Sequence, residues 1–336
     1  MRVLAALDKF RGTASAHDAV AAVASACWEL GLDVDECPMS DGGEGILDVL
    51  GGANRTSRVT GPLGAPVEAA WRLHGRTAVI EMALASGLEL AGGRDGNDAM
   101  NATTAGTGEL IARAIEQGAR TVVVGLGGSA TTDGGLGAVD AIGGTARVRS
   151  VELQVACDVR TRFVDAAALF APQKGASPAE VNLLAARLNR VAEDYVSRFG
   201  IDVREIDGTG AAGGLAGGLL AIGGRLVPGF DLVADHVDLH DRIAAADIIV
   251  TGEGFLDRQS LDGKVVGGLL ELASDADLPV IVITGDADAA ARDAVADTGA
   301  SVVTLIERFG DRRPFDEPRW CIEHAARDAL LPLVGR

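Results

Sequence analysis

The sequence predicts an α/β protein: a Rossmann-like parallel-sheet domain formed by both termini, with a large inserted α/β domain between them. Three observations carry this expectation. Short apolar runs typical of buried parallel strands alternate with helical patterns over residues 1–50 and again beyond about residue 240. The stretch between is irregular α+β, and 336 residues exceed the usual size of one domain. Glycine, with 45 residues, gathers at the ends of apolar runs, which suits close backbone approach to a ligand better than a flexible linker.

Taken in order, residues 2–7 read as a buried strand and Ser15 as the N-cap of a helix over 16–30, closed by Gly31. A second strand over 34–38 leads through Asp41-Gly42-Gly43-Glu44-Gly45 into a helix over 46–50. Residues 56–59, 67–73 and 77–82, separated by turn residues, predict an antiparallel meander. A helix over 105–117 and a strand starting at Val122 follow, then helix 136–142 and strand 153–159. Ser177-Pro178 starts a long amphipathic helix to Phe199, and 208–224 reads as a glycine-alanine helix behind a tight turn. Alternation then returns, with strands at 247–251, 280–284 and 301–305 and helices at 265–273, 289–297 and 320–331. The expected division is 1–57 with 241–336 for the first domain and 58–240 for the insert, and a cleft between domains is the default ligand site.

With 48 acidic and 30 basic residues the net charge is −18, and no Lys or Arg run exists to attract nucleic acid or an anionic membrane surface. Cys27, Cys37, Cys157 and Cys321 are dispersed, with no Cys-x-x-Cys pair, and read as reduced thiols. The first residues lack a signal-peptide pattern, and no apolar run reaches the length of a membrane span. A cytoplasmic protein is expected.

The chemistry concentrates in loops. Residues 122–137 join a β-branched run to a helix start through Gly125-Leu126-Gly127-Gly128-Ser129-Ala130-Thr131-Thr132-Asp133, where free N–H groups and the helix dipole favour an anion. The same stretch matches Gly-x-Gly-x-x-Ala, but the acid a dinucleotide site needs about 20 positions on is missing from 143–149. Phosphate with Mg²⁺ suits its hydroxyls better, and a purely structural tight turn is the alternative. Asp41 reads either as an acidic helix cap or as a carboxylate aimed at a hydroxyl or metal. Arg11, beyond the first strand, reads either as a carboxylate clamp or as a surface ion-pair partner. Lys174, just ahead of a helix start, suggests a shared anion. Glu253 and Asp257 flank a strand tip as hard ligands for Mg²⁺ held with substrate phosphates. Gly263-Lys264 fails as a Walker A motif because Arg258 and Val265 break the pattern. His236 and His240 lack a third ligand motif, and a solvated face is the preferred reading. No Gly-x-Ser-x-Gly elbow indicates a hydrolase triad.

As a set, these loops resemble the bacterial glycerate kinases of glyoxylate and sugar-acid pathways, from residue 1 to beyond 300. The resemblance rests on Asp8-x-Phe10-x-Gly12, Asp41-Gly-Gly-Glu-Gly45, Thr107-Gly-Glu-Leu-Ile111, the segment Gly127-Gly-Ser-Ala-Thr131-x-Asp133-Gly-Gly135, Ala156-Cys-Asp-Val159, Pro172-Gln-Lys-Gly-Ala176, Gly210-Ala-Ala-Gly-Gly214, Thr251-Gly-Glu-Gly254 and Asp257-x-Gln259-x-x-x-Gly263-Lys264. It implies a kinase that uses ATP and Mg²⁺ to convert glycerate to a phosphoglycerate, commonly the 2-phosphate. On that reading Gly127, Gly128, Ser129, Thr131 and Asp133, with Gln173, Lys174 and Lys264, hold the nucleotide. Asp158, Glu253 and Asp257 serve Mg²⁺ or its waters, Arg11 holds the substrate carboxylate, and Asp41 orients the attacking hydroxyl or takes its proton. A homo-oligomer is compatible with the sequence.

The chain departs from the family pattern at Lys9 and Arg11, where Ser and Lys are usual, at Ala171 for Gly, at Phe255 for Arg, and in a shortened segment 160–168. Several departures fall in candidate substrate loops. The alternatives are therefore a paralogue acting on another sugar acid, a non-catalytic metabolite-binding descendant, and a nicotinamide oxidoreductase.

Overall fold

The computed structural model describes residues 1–334. Its strands are β1 Arg2–Leu7, β2 Asp33–Glu36, β3 Arg55–Thr60, β4 Pro66–His74, β5 Thr77–Glu81, β6 Thr121–Gly125, β7 Glu152–Ala156, β8 Arg225–Val227, β9 Ile248–Leu256, β10 Val280–Ala287 and β11 Ser301–Thr304. The chain divides into two units: residues 1–41 with 230–336, and residues 42–229. The sequence reading put these crossings later, at 57/58 and 240/241. The first moves to 41/42 because helix Ile46–Val49 belongs to the second unit, where the Glu81 carboxylate at the end of β5 accepts from Gly45 N (2.9 Å) and Leu47 N (3.4 Å).

The first unit holds a five-stranded sheet in the order β11-β10-β9-β1-β2, parallel throughout. Renumbered within the unit this is the 2-1-3-4-5 doubly wound order, whose switch point lies between β1 and β9. β1 is buried over Val3–Leu7 because both sheet faces are covered. Helix Ala16–Glu29 begins with a reciprocal capping box between Ser15 and Asp18 and buries Val20, Val23 and Cys27. Its core is shared with helix Pro318–Leu330, through Cys321, Ile322 and Ala325.

The second unit holds a six-stranded sheet, β3-β4-β5-β6-β7-β8. β3, β4 and β5 form the expected antiparallel meander, and β5 to β8 run parallel. Helix Pro178–Phe199 starts at the Ser177–Glu180 capping box with Pro at its first position, and packs Leu184, Leu188 and Tyr195 into the core.

Two expectations change. The glycine-alanine segment is helix Ala211–Ala221, but Ala212, Gly213 and Gly214 leave helical geometry with positive φ. They do so because the chain presses on the Gly-rich loop: a Cβ at Gly213 would stand 1.9 Å from the Thr131 carbonyl oxygen. His236 ends one helix, Gly229–His236, and His240 lies in another, Leu239–Ala244, with Asp238 at φ 53° between them. The i, i+4 helix face is therefore broken.

Candidate active site

Parallel sheets bind ligands beyond the carboxyl ends of their strands, at the switch point. In the first unit that point carries a cluster of charges. Asp8 follows β1, and its N–H donates to the Gly252 carbonyl of β9 (2.9 Å), which sets it beside Glu253. Asp41 closes the loop after β2. Lys9 Nζ lies 3.6 Å from Asp8 Oδ1 and 3.7 Å from Asp41 Oδ1, and Lys264 Nζ lies 3.7 Å from Asp41 Oδ2. Asp41 is thus flanked by two ammonium groups.

Burial dominates the acidities here. It raises Asp8 to about 6, with Lys9 opposing and Asp41 reinforcing. It raises Glu253 to about 7, with Ser260 and Lys264 opposing and Asp8 and Asp41 reinforcing. Glu253 Oε1 is buried and has no hydrogen-bond partner. A buried carboxylate oxygen left in that state suits a cation or a ligand proton.

Not every residue chosen from sequence joins this cluster. Asp257 turns to its own loop: its Oδ1 accepts from Ser260 N (3.0 Å), and Asp257 N donates to Ser260 Oγ (3.1 Å), closing the turn Gln259–Leu261. Arg11 is exposed and lines a separate cavity with Phe255 and Asp286. Asp8 and Lys9, which the sequence marks only as charge at the carboxyl end of the first strand, where ligands sit in open α/β sheets, join the cluster directly.

The second unit carries the Gly-rich loop, at the carboxyl end of β6. Leu88 N donates to Gly128 O (2.7 Å), Ala130 N to Ser86 O (3.0 Å) and Gly134 N to Gly213 O (3.0 Å), so the loop is held on several sides. Backbone packs on it directly, since a Cβ at Gly127 would stand 2.8 Å from Glu44 N. Lys174, 3% exposed, donates through Nζ to Ser129 Oγ (2.6 Å) and the Thr131 carbonyl (2.7 Å). Burial lowers it to about 7, with Asp133 opposing. Asn97 Nδ2 ties Ala130 O (3.0 Å) to Lys174 O (2.8 Å).

Asp133 accepts from Thr104 N (2.9 Å) and Thr104 Oγ1 (2.8 Å) through Oδ2, and from Gly135 N (3.0 Å) through Oδ1. Its carboxylate holds helix starts at Ala105 and Leu136 in place. Asp158 accepts from Gly229 N through Oδ1. Gln173 is exposed on the turn Pro172–Lys174. The hydroxyls of Thr131 and Thr132 are fully buried and without a hydrogen-bond partner. Two orphaned hydroxyls in a rigid loop beside a buried lysine fit phosphate oxygens.

Among the described residues no group of three or more His, Cys, Asp or Glu could alone hold a metal ion. Mg²⁺ bound by one or two carboxylates together with substrate phosphates needs no such cage, and Glu253 fits that role.

The fold and these loops define a doubly wound α/β protein with ligand chemistry at the carboxyl ends of its parallel strands. The sequence profile of the glycerate kinase family matches residues 3–147 and 144–329, and the chain belongs to that family. It is 44% identical over 301 residues to an uncharacterized protein of Mycobacterium tuberculosis, covering 85% of this chain and 79% of the relative. It is 36% identical over 325 residues to glycerate 2-kinase of Escherichia coli, and 37% identical over 325 residues to glycerate kinase of Bacillus subtilis, each covering 85% of both chains. The crystal structure of a protein assigned as glycerate kinase 2 from Salmonella typhimurium LT2 superposes with a TM-score of 0.78 at 30% identity, covering 99% of this chain and 98% of that one.

Proposed function

We propose that this protein transfers the γ-phosphoryl group of ATP to the 2-hydroxyl of glycerate, in the cytoplasm, with Mg²⁺. Family membership supports the reaction class. The observation that carries the site is the switch-point cluster, in which Asp41 lies between Lys9 and Lys264 and Glu253 keeps a buried oxygen unpartnered. No helix among the described residues is long and apolar enough to cross a membrane.

Phosphoryl transfer asks mainly for positioning and charge neutralisation. The Thr131 and Thr132 hydroxyls of the Gly-rich loop hold phosphate oxygens, and Lys174 fixes the loop through Ser129 and the Thr131 carbonyl. Asp41 orients the acceptor hydroxyl and takes its proton, while the flanking ammonium groups draw substrate oxygens. Glu253 would hold Mg²⁺, and the bound ion would neutralise charge developing on the transferred group. Arg11 lies outside the charge cluster, in the cavity lined by Phe255 and Asp286, and is assigned no contact to the substrate carboxylate.

The test is ATP consumption by the purified protein with glycerate, tartronate and erythronate, before and after EDTA, with the product's phosphate position read by ³¹P–¹H NMR. Turnover with glycerate that EDTA abolishes and Mg²⁺ restores is expected. No turnover on any of these acids would sink the kinase reading.

A further inference from the structure

We infer that the cavity beside β9 and β10 in the first unit binds the adenine base of the nucleotide donor, a reading that rests on the ATP dependence proposed above. The cavity encloses about 290 Å³, near the lower end of ligand pockets at roughly 300 Å³. A three-carbon hydroxy acid would leave most of it empty.

Its lining suits a flat heteroaromatic ring. Gly254 and Gly285 contribute bare backbone close to the strand ends, packed so tightly that a Cβ would stand 2.9 Å from Arg11 N at the first and 2.4 Å from the Gly254 carbonyl oxygen at the second. Phe255 and Phe315 contribute two rings and are 48% and 61% exposed. Phe10, in the same lining, is only 3% exposed, so this unit can bury a ring where packing needs one. Two large aromatic faces left in water around a concave space form a stacking surface, and bases stack on such faces regardless of sequence.

The charges at the cavity point the same way. Asp286 and Arg11 both line it. A carboxylate accepts from the exocyclic amine of adenine, and a guanidinium can stack on the ring or donate to ribose and phosphate oxygens. An apolar acid would use Arg11 but would strand the carboxylate of Asp286 against its hydrocarbon. An adenine nucleotide uses both.

The experiment is steady-state kinetics of the full-length protein and its Phe255→Ala, Phe315→Ala and Phe255→Tyr variants, with saturation-transfer NMR of adenosine beside it. Both rings are substantially exposed, so these variants should fold, and circular dichroism checks that. Removal of either ring should raise KM for ATP by about 5- to 100-fold. KM for glycerate should stay within twofold, and Phe255→Tyr should restore ATP affinity. An unchanged KM for ATP in both alanine variants overturns the proposal, as does a shift confined to KM for the acid, which would make the cavity an acid pocket. If the wild type consumes no ATP with any acid, the kinase reading fails separately. Adenosine signals then decide the cavity: present in wild type and lost in Phe255→Ala they uphold it, and absent from wild type they overturn it.

Discussion

Glu253 and Lys174 are in the same physical situation with opposite sign. Each is a charge-bearing group that burial drives toward its neutral form, to about 7 in both cases. For Glu253 the sign of the linkage follows directly. Between its ordinary value of 4.5 and about 7, the folded protein keeps a proton that the unfolded chain has released, so ligand-free stability falls as pH rises through that window. Asp8, raised to about 6, acts in the same direction. Glu253→Gln should therefore flatten the decline, stabilising the protein at pH 8 relative to wild type by up to about 3 kcal/mol and hardly at all at pH 4. Urea midpoints at the two pH values measure this, and an equal gain at both would remove the burial argument. Asp41→Asn should cut turnover by about a hundredfold or more while leaving the urea midpoint near wild type. Near-normal turnover would take Asp41 out of the chemistry.

At the scale of elements, the Gly-rich loop after β6 is held less by its own sequence than by what surrounds it. The loop and the kinked start of helix Ala211–Ala221 meet backbone to backbone at Gly213 and Thr131. Gly213→Ala combines a strained φ of +67° with a clash against a carbonyl that cannot move cheaply, and should cost about 2–4 kcal/mol and weaken ATP binding. Gly143→Ala is the control: its φ is +80° but its Cβ would meet nothing within 4 Å, so only the conformational cost of about 1–2 kcal/mol remains. Equal urea midpoints for the two variants would show that the contact carries no weight. The loop itself was legible in the sequence, because a β-branched run ending in glycines is a local signal. The kink was not, since a run of alanine and glycine reads as helix until the Thr131 carbonyl is placed against it.

At the scale of the molecule, each unit has its own hydrophobic core, around β1 and β9 in the first and around β6 and Tyr195 in the second. The second unit is one continuous stretch, residues 42–229. Expressed alone, that fragment should give a cooperative urea transition and native-like circular dichroism, whereas a fragment of residues 1–41 should not fold, because β1 needs β9 beside it. A non-cooperative transition of the 42–229 fragment would show that its core is insufficient by itself.

The sequence alone determined the α/β class, the alternation at both ends, the meander, the capped helices and the loops that carry chemistry. All of these are written in short-range patterns of apolar spacing, glycine and cap residues. Tertiary structure decided which charged side chains meet. It brought Asp8, Lys9, Asp41, Glu253 and Lys264 together at the switch point from stretches far apart in the chain. It also turned Asp133 to the backbone of Thr104 and Asp257 to Ser260. A carboxylate's partner is set by what the fold places within about 3 Å of it, and that distance depends on strand order and register rather than on neighbours in sequence.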